Sequence, residues 1–579
     1  MPVFFNGAEI VSPATASDIN DSALANTNVS GSNVLAIIGN SAGGQPNTAL
    51  AFTNPTEAAA TLISGDLADA VRFAFAPSSA VGSPSKIVAI RANPATQATA
   101  TLTAAGTPVI ALSSADYGVW TNNIAVKVEQ GSVNGKLLTV QSGSNTYTAD
   151  NVSRSALTMG YNGQQASATV STTATTVALS APAGTVVATI DLTQAKTVQD
   201  LAQRINSVQG FFAIVTAGSA NTSALNGLDT VTAQDVMTRP FNLPANLQAV
   251  IDWLNNAAGG LLVATRQTLG VVPDNAPFVY LTGGSDDVTT ASSYQAAYNT
   301  LQSVDVQWVV PLSTDPAVAA MNDAHCQFMS TVGRLERRSI VGMPVGTTDA
   351  QAIALAQSLN SDRTSLTHLG PYMYNSAGVL TLYSSAFMAA MIGGMFCGAS
   401  PGTPMTNKVI TIYGIERQLR NPTDTDPLLL GGVMPVEFTS TGYKIVQSIS
   451  TWLTNQNYNR REQSCGVALD FTARAVRTAV DVFRGQKGTP QLLGQVVQTT
   501  ETVLRQLAVP EPVGPGVLVG DSNSPAYSGI QATLEGDVVK VQFQCSPVIP
   551  ANYVLLSIFA TPYSGTATVT AQASPAAVA

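Results

Sequence analysis

The chain has 579 residues and a net charge of −9; 45% of its residues are hydrophobic and only 11% are charged. This length accommodates several domains, and the hydrophobic content excludes wholesale disorder. Ordinary soluble domains carry about 25% charged residues, so we expect much of this surface to lie against other protein. The acidic balance argues against a general nucleic-acid-binding protein, which would show a basic field.

The cysteines and apolar runs give no sign of export or membrane insertion. Cys326, Cys397, Cys465 and Cys545 lie far apart without a C-x-x-C pair, which predicts buried free thiols. The N-terminus has no basic stretch of the kind that begins a secretory signal. The longest apolar run, residues 386–399, contains three glycines and is shorter than the roughly 20 residues of a membrane span. We expect a protein that is made in the cytoplasm and not inserted in a membrane.

Residues 1–30 are predicted to form an N-terminal arm. The apolar residues Val3, Phe4 and Phe5 are followed by a stretch rich in Ser, Ala, Asn and Asp, without helical or strand periodicity. Such a segment cannot bury enough of its own surface to fold alone. Folding onto a neighbouring molecule and plain disorder are the two alternatives.

Residues 31–97 and 239–441 alternate between strand and helix patterns. Residues 34–38 and 86–91 are predicted buried strands with helices between them, which indicates a parallel pair joined by a crossover. The same rhythm after residue 239 predicts an open, largely parallel sheet with helices on both faces. Residues 98–238 contain short alternating runs separated by turn residues, so we interpret them as an inserted β-rich domain.

Residues 442–560 are predicted to form an α+β C-terminal domain. In its helix from about Cys465 to Arg484, three arginines lie opposite the apolar face: Arg474, Arg477 and Arg484. The same polar face also carries Asp470 and Asp481. A solvated face explains this pattern, but in so charge-poor a chain it also indicates a docking surface for an acidic partner.

The end of the chain has the pattern of strands that lack partners. Residues 536–545 alternate, with Val539, Val541 and Phe543 on one side, and residues 553–559 are apolar on both faces, which predicts a central strand. No charged residue follows Lys540, so a further strand in the arm at 561–579 would be an unprotected edge. We expect such edges to pair with adjacent copies. The residues of the predicted receiving sheet are Val539, Val541, Phe543, Val554, Leu556 and Ile558. The residues of the predicted exchange arms are Val3, Phe4, Phe5, Thr566, Thr568 and Val569.

Enzyme motifs are weak in this chain. Gly39-Asn40-Ser41-Ala42-Gly43 follows a strand and fits a nucleophile elbow, but no helix starts for about ten more residues. The only histidines are His325 and His368, and no nucleotide-binding motif occurs. A serine hydrolase that uses Ser41 is a distant alternative, and an adhesin built on the β-rich insertion is another. We predict no catalytic residue, no cofactor and no metal.

Five segments stand out together by their order and spacing: residues 116–124, 403–408, 457–460, 485–490 and 547–553. In these segments the chain resembles the contractile tail sheath proteins of myovirus-type phages. The resemblance extends over nearly the whole chain and is weakest in the β-rich insertion.

The resemblance implies a structural subunit of a sixfold helical sleeve that surrounds a tail tube and contracts to drive the tube through the host envelope. The sheath of a phage-like injection particle is the alternative. The resemblance further implies a subtilisin-like core layout without catalysis. It also implies terminal arms (1–30 and 561–579) that add strands to neighbouring subunits. The implied partners are further copies of the chain, the tube protein, and baseplate and tail terminator proteins, in the virion and without nucleic acid. The implied tube-facing residues are Arg474, Arg477, Arg484 and Lys487.

Overall fold

A computed structural model describes the backbone of residues 3–5 and 8–10, residues 33–560, and residue 565. Thr566, Thr568 and Val569 of the predicted C-terminal arm lie outside the described residues. At the N-terminus, Val3–Phe5 pairs antiparallel with Ala8–Ile10 in a sheet of two strands.

A six-stranded sheet forms the centre of the largest domain. Its strands are parallel, apart from Ala49–Phe52, which lies antiparallel at one edge. Strands that are distant in sequence are adjacent here: Leu35–Gly39 pairs with Trp308–Pro311, although the whole β-rich insertion lies between them in the chain. The order across the sheet is Thr364–Leu366, Arg338–Val341, Trp308–Pro311, Leu35–Gly39, Ile87–Arg91 and Ala49–Phe52.

Helices cover both faces of this sheet. Side chains alternate along each strand, so Leu35 and Ile37 pack into one core, and Ala36 and Ile38 into a second core on the opposite face. The predicted α/β class is therefore confirmed, as a largely parallel sheet between two layers of helices. The flanking helices are Pro55–Leu62, Asp66–Ala74, Ala291–Leu301, Pro316–Thr331, Asp349–Leu359 and Ser385–Gly398.

The inserted part consists of two lobes, each with its own hydrophobic core. The outer lobe is inserted into the inner one, and the chain crosses between them near residues 153 and 245. The inner lobe contains strands Thr99–Ala104, Thr107–Ser114, Ile124–Gln130, Lys136–Ser142, Asn145–Val152, Leu262–Arg266 and Ala276–Tyr280, with helix Asn246–Asn256 and the short 3-10 helix Val119–Asn123. The outer lobe contains Ser155–Tyr161, Thr169–Thr172, Thr176–Ser180, Val186–Asp191, Phe211–Val215, Val231–Asp235 and Phe241–Pro244, with helix Val198–Asn206.

The predicted end of the insertion at residue 238 is too early. Leu262–Arg266 pairs with Thr107–Ser114, and Ala276–Tyr280 pairs with Ile124–Gln130. Helix Asn246–Asn256 packs in the same inner core. The β-rich part therefore continues to about Thr282, where the backbone exchanges hydrogen bonds with Thr99.

The C-terminal unit starts later than residue 442. Gly442–Ile445 lies in a small sheet with Val436–Thr439 and Val409–Ile410, and Ile445 packs into the main α/β core. The same core includes residues from strands Pro371–Tyr374 and Gly414–Ile415 and from helix Thr425–Leu430. Strand Leu380–Leu382 pairs with Pro371–Tyr374.

The C-terminal unit contains two long helices and a hairpin around one small core. Gln463–Val480 and Pro490–Leu507 are the helices, and Tyr527–Glu535 pairs antiparallel with Val538–Cys545. Short helical turns, Tyr458–Arg461 and Asp481–Phe483, flank the first helix. Within Val538–Cys545, every second side chain is half-buried and the others are exposed, as the alternation predicted.

Described helices include none that is both long and apolar enough to cross a membrane. The same residues contain no cluster of three or more metal-ligating side chains. All four cysteines are free; Cys326, Cys397 and Cys465 are buried and Cys545 is half-buried.

His325 should make the protein less stable in mild acid. The ring is buried in helix Pro316–Thr331, stacks on Tyr298, and its Nε2 lies 2.8 Å from Nη1 of the buried Arg337. Burial and then the Arg337 charge lower the His325 pKa to about 4. As pH falls from about 6.5 towards 4, His325 becomes protonated in the unfolded chain but stays neutral in the folded chain. The free energy of unfolding therefore decreases by about 3 kcal/mol.

The matching measurement is urea unfolding of the wild type and of His325→Gln between pH 7 and pH 4. The amide oxygen of Gln can still accept from Arg337 but does not titrate. We expect the difference in unfolding free energy between the two proteins to shrink by about 3 kcal/mol over this range. Parallel stability curves would show that the neutral histidine is not the cause.

Candidate assembly surface

The segment that follows the C-terminal hairpin is apolar and almost fully exposed. Residues 551–560 form no strand or helix, although residues 553–559 have strand-forming side chains. Exposure rises from 78% at Tyr553 to 92% at Leu555. Contiguous exposed apolar side chains of this kind mark an interaction site in a soluble protein.

Val554, Leu556 and Ile558 are therefore not part of a receiving sheet within this chain. All three are largely exposed, and in the described chain the hairpin of Tyr527–Glu535 and Val538–Cys545 has no third strand. A strand needs a partner edge, and within the described residues this segment lies against none. A high strand propensity does not by itself bring such a partner.

The hairpin itself presents free edges. Its inner face includes Phe543 and Cys545, which pack with Tyr527 and Ile530 against the two long helices. The half-buried Val539 and Val541 lie on the same side of their strand. Since the sheet has only two strands in the described chain, each strand offers one edge of unpaired backbone groups.

Two of the predicted docking arginines are engaged inside the chain. Arg474 Nη1 lies 2.8 Å from an oxygen of Asp305, and its Nη2 donates to the Glu336 backbone carbonyl at 2.8 Å. Arg477 forms an ion pair with the buried Glu336 and donates to the carbonyl of Arg334 at 2.7 Å. The predicted free row of three arginines is therefore wrong for Arg474 and Arg477, which bind the α/β domain.

Asp470 extends this internal network on the same helix. Its carboxylate lies 2.7 Å from Arg338 Nε and 2.7 Å from Arg363 Nη1. Arg338 also donates to the side chain of Gln463 at 2.7 Å. The polar face of the helix thus fastens the C-terminal unit to the edge of the α/β sheet.

Arg484 and Lys487 remain on the surface. Arg484 is 78% exposed and lies 3.2 Å from Asp481, which is itself exposed. Lys487 is exposed four residues after Phe483, where the helical segment ends. Of the four predicted tube-facing residues, these two are available to a partner.

No hydrolytic triad forms around Ser41. Its buried hydroxyl donates to the Gly43 carbonyl at 2.7 Å. His325 contacts Arg337, and the buried His368 has its Nε2 2.9 Å from a carboxylate oxygen of Asp349. The glycine-rich turn after the first core strand is a structural turn.

A buried arginine at this turn joins the insertion to the α/β domain, and sequence reasoning missed it. Arg91 is fully buried, pairs with Asp286, and donates to the carbonyls of Ala42, Gly44 and Tyr117 at 3.0–3.2 Å. The sequence signal that could have indicated this buried contact is a single arginine at the end of the otherwise apolar strand Ile87–Arg91.

Comparison with known proteins finds relatives that cover nearly the whole chain. No family model matches the chain. A tail sheath protein of Bacillus phage SP01 is 29% identical over 97% of this chain and 98% of its own length. A provisionally named tail sheath protein of Enterococcus phage phiEF24C is 26% identical over 96% of this chain and 98% of its own length.

Over nearly its whole length the chain is therefore similar to tail sheath proteins of phages. Two solved structures are similar to this chain in fold. The sheath tail protein from Listeria innocua superposes with a TM-score of 0.56 at 12% identity, covering 90% of this chain and 93% of its own. The sheath tail protein from Desulfitobacterium hafniense gives 0.52 at 11% identity, covering 93% and 99%.

Proposed function

We propose that this protein is the repeating subunit of a contractile tail sheath. It polymerises as a sixfold helical sleeve around a tail tube, joined by strands that its terminal arms donate to neighbouring copies. The observation that carries the proposal is the exposed, uncharged apolar segment 553–559, a short distance along the chain from a hairpin whose edges are free in the described chain.

Strand addition would supply hydrogen-bond partners for the backbone of this segment and bury its apolar side chains. A donated strand of about five residues forms ~4–5 backbone hydrogen bonds, each contributing roughly 0.5–1.5 kcal/mol. Each fully buried large apolar side chain adds about 1.5–3 kcal/mol before the cost of ordering. Because each subunit would take part in several such joints, individually weak contacts hold a continuous mesh together.

The proposed arrangement assigns a place to each domain. The α/β domain takes a subtilisin-like layout, the C-terminal unit faces the tube, and the two-lobed insertion projects outward, where extra mass is tolerated. The sheath assembles in the host cytoplasm, joins baseplate and tail terminator proteins, and becomes part of the virion. The arm residues Val3–Phe5 would donate strands as well.

Contraction follows from rigid bodies joined by flexible arms. The ion network of Asp470 and Glu336 fixes the C-terminal unit to the α/β domain. Each subunit can then rotate as one body while the arms keep neighbours connected. In this proposal the extended sheath is metastable, and contraction exchanges small contacts with the tube for larger contacts between subunits.

Electron microscopy of the purified chain tests this function. We expect hollow helical tubes with sixfold symmetry once the protein concentration is high enough. A chain that stays monomeric at every concentration, with or without the tube protein, would contradict the proposal. A hydrolase or an adhesin would give that second result.

We expect the double variant Arg484→Glu, Lys487→Glu to assemble poorly on tubes. Both side chains are exposed, so reversing their charges should repel an acidic tube surface without disturbing the fold. Co-sedimentation with the tube protein should fall about tenfold near 0.1 M salt, and the difference should shrink at 0.5 M because salt screens exposed charges.

Lys196→Glu, Arg239→Glu is the matched control. These residues are also exposed and carry the same charges, but they lie in or beside the outer lobe. The control should bind tubes as the wild type does. Equal loss of binding in both variants would mean that net charge matters and that the proposed tube-facing position does not.

A further inference from the structure

The point where the exposed segment leaves the protein is held by specific side chains. The Asn552 amide Nδ2 donates to the Tyr458 hydroxyl oxygen at 2.6 Å and lies 3.3 Å from Glu462 Oε2. Tyr458 and Asn552 are half-buried, and Tyr553, the next residue, is 78% exposed. The change from a bound to a free chain therefore occurs within one residue.

Glu462 is an unusual member of this group. It is fully buried, and its carboxylate accepts from Ser448 Oγ at 2.6 Å and Gln447 Nε2 at 3.3 Å, as well as from Asn552. The side chains that bond it in the described chain are all neutral, and burial raises the pKa of the carboxyl. A buried carboxylate satisfied by several neutral donors depends on each of them.

The chain that leads to Asn552 is also fixed at several points. Ser546 N donates to the Ala526 carbonyl at 2.9 Å, and Val548 N donates to the Val517 carbonyl at 3.0 Å. The Cys465 thiol lies 3.4 Å from the Val548 carbonyl oxygen. Asn552 is the last of these attachments, and it joins the C-terminal tail to the first turn before helix Gln463–Val480.

We propose that Tyr458, Glu462 and Asn552 form an arm anchor that positions the C-terminal segment for a neighbouring subunit. This inference rests on the proposed function, because it assumes that residues 553–559 pair with another copy. A fixed root limits the directions that the segment samples and so raises its effective concentration at the neighbour's hairpin. Tyr458, Glu462 and Asn552 are positioning residues and need not touch the neighbour.

The test uses Tyr458→Phe, Asn552→Ala and the double variant in the full chain. Tyr458→Phe removes the hydrogen bond to Asn552, and Asn552→Ala removes that bond and the contact with Glu462. Loss of each hydrogen bond should raise the concentration needed for assembly roughly 2- to 10-fold, measured by light scattering. Hydrogen exchange at residues 547–552 of the monomer should accelerate in both single variants. Because the two changes break the same bond, the double variant should be no worse than Asn552→Ala.

Tyr280→Phe is the matched control. Tyr280 is 57% exposed in the insertion, and its variant should assemble at the wild-type concentration. Three results would overturn the anchor. The first is a double variant whose increase in assembly concentration equals the product of the two single increases. The others are unchanged hydrogen exchange at residues 547–552 and normal assembly of either single variant.

A chain that ends at Tyr553 separates the two proposals. If that chain assembles normally, the arm mechanism in the proposed function fails, and the anchor fails with it. If it does not assemble while both anchor variants behave as the wild type does, only the anchor is wrong.

Discussion

A chain that ends at Tyr553 should fold but not polymerise. The removed residues include exposed apolar side chains that contribute nothing to the core of their own molecule, so the folded monomer should keep its thermal stability. Five of them, from Val554 to Phe559, are at least 79% exposed. The protein concentration needed for assembly should rise more than a hundredfold, because every contact made by this arm is lost at once.

The experiment compares this chain with one that ends at Ala560. The longer chain keeps residues 554–560 and removes the last stretch alone, so it separates the apolar segment from the distal arm. Stopping after Tyr553 also keeps the new terminal carboxylate one residue away from the Asn552–Glu462 contact. Circular dichroism and sedimentation velocity report folding and assembly. Normal tubes from the shorter chain would contradict strand donation by this segment.

Asp470→Asn should destabilise the protein by about 3–5 kcal/mol, the usual cost of removing one partner from a buried ion pair. Asp470 is only 16% exposed and neutralises Arg338, which is 5% exposed, together with Arg363. Without this carboxylate, two largely buried guanidinium groups face each other with no shared counter-charge. The urea midpoint of the transition that includes the C-terminal unit should fall accordingly.

Asp481→Asn is the control on the same helical segment. Its partner Arg484 is exposed, so this pair should contribute less than about 0.5 kcal/mol. Equal destabilisation by both variants would mean that the helix itself, and not the buried network, is sensitive. A negligible effect of Asp470→Asn would remove the basis for treating the C-terminal unit and the α/β domain as one rigid body.

The hairpin shows what local pattern can and cannot predict. The alternation of Val539, Val541 and Phe543 predicted a half-buried strand, and the structure has one. Residues 553–559 have equally strong strand propensity, yet they form no strand, because no edge lies beside them in a single chain. Side-chain pattern specifies what a segment favours, but pairing depends on what comes near it.

Helix Gln463–Val480 and the β-rich insertion show a second limit of prediction from local sequence. Helical periodicity placed Arg474 and Arg477 on a polar face, but periodicity does not reveal that Glu336 and Asp305 lie opposite. Similarly, Leu262–Arg266 belongs to the insertion because it pairs with a strand about 150 residues earlier. Contacts between distant parts of the chain decide both cases, and local sequence carries no record of them.

The central claim is that each subunit is completed by its neighbours. A cryo-electron microscopy reconstruction of the assembled sheath tests it most directly, by tracing residues 553–559 from their root at Asn552. We expect the segment to lie as a strand along a free edge of the hairpin Tyr527–Glu535 and Val538–Cys545 of an adjacent copy. A segment that folds back onto its own hairpin, with no strand crossing between subunits, would contradict the account.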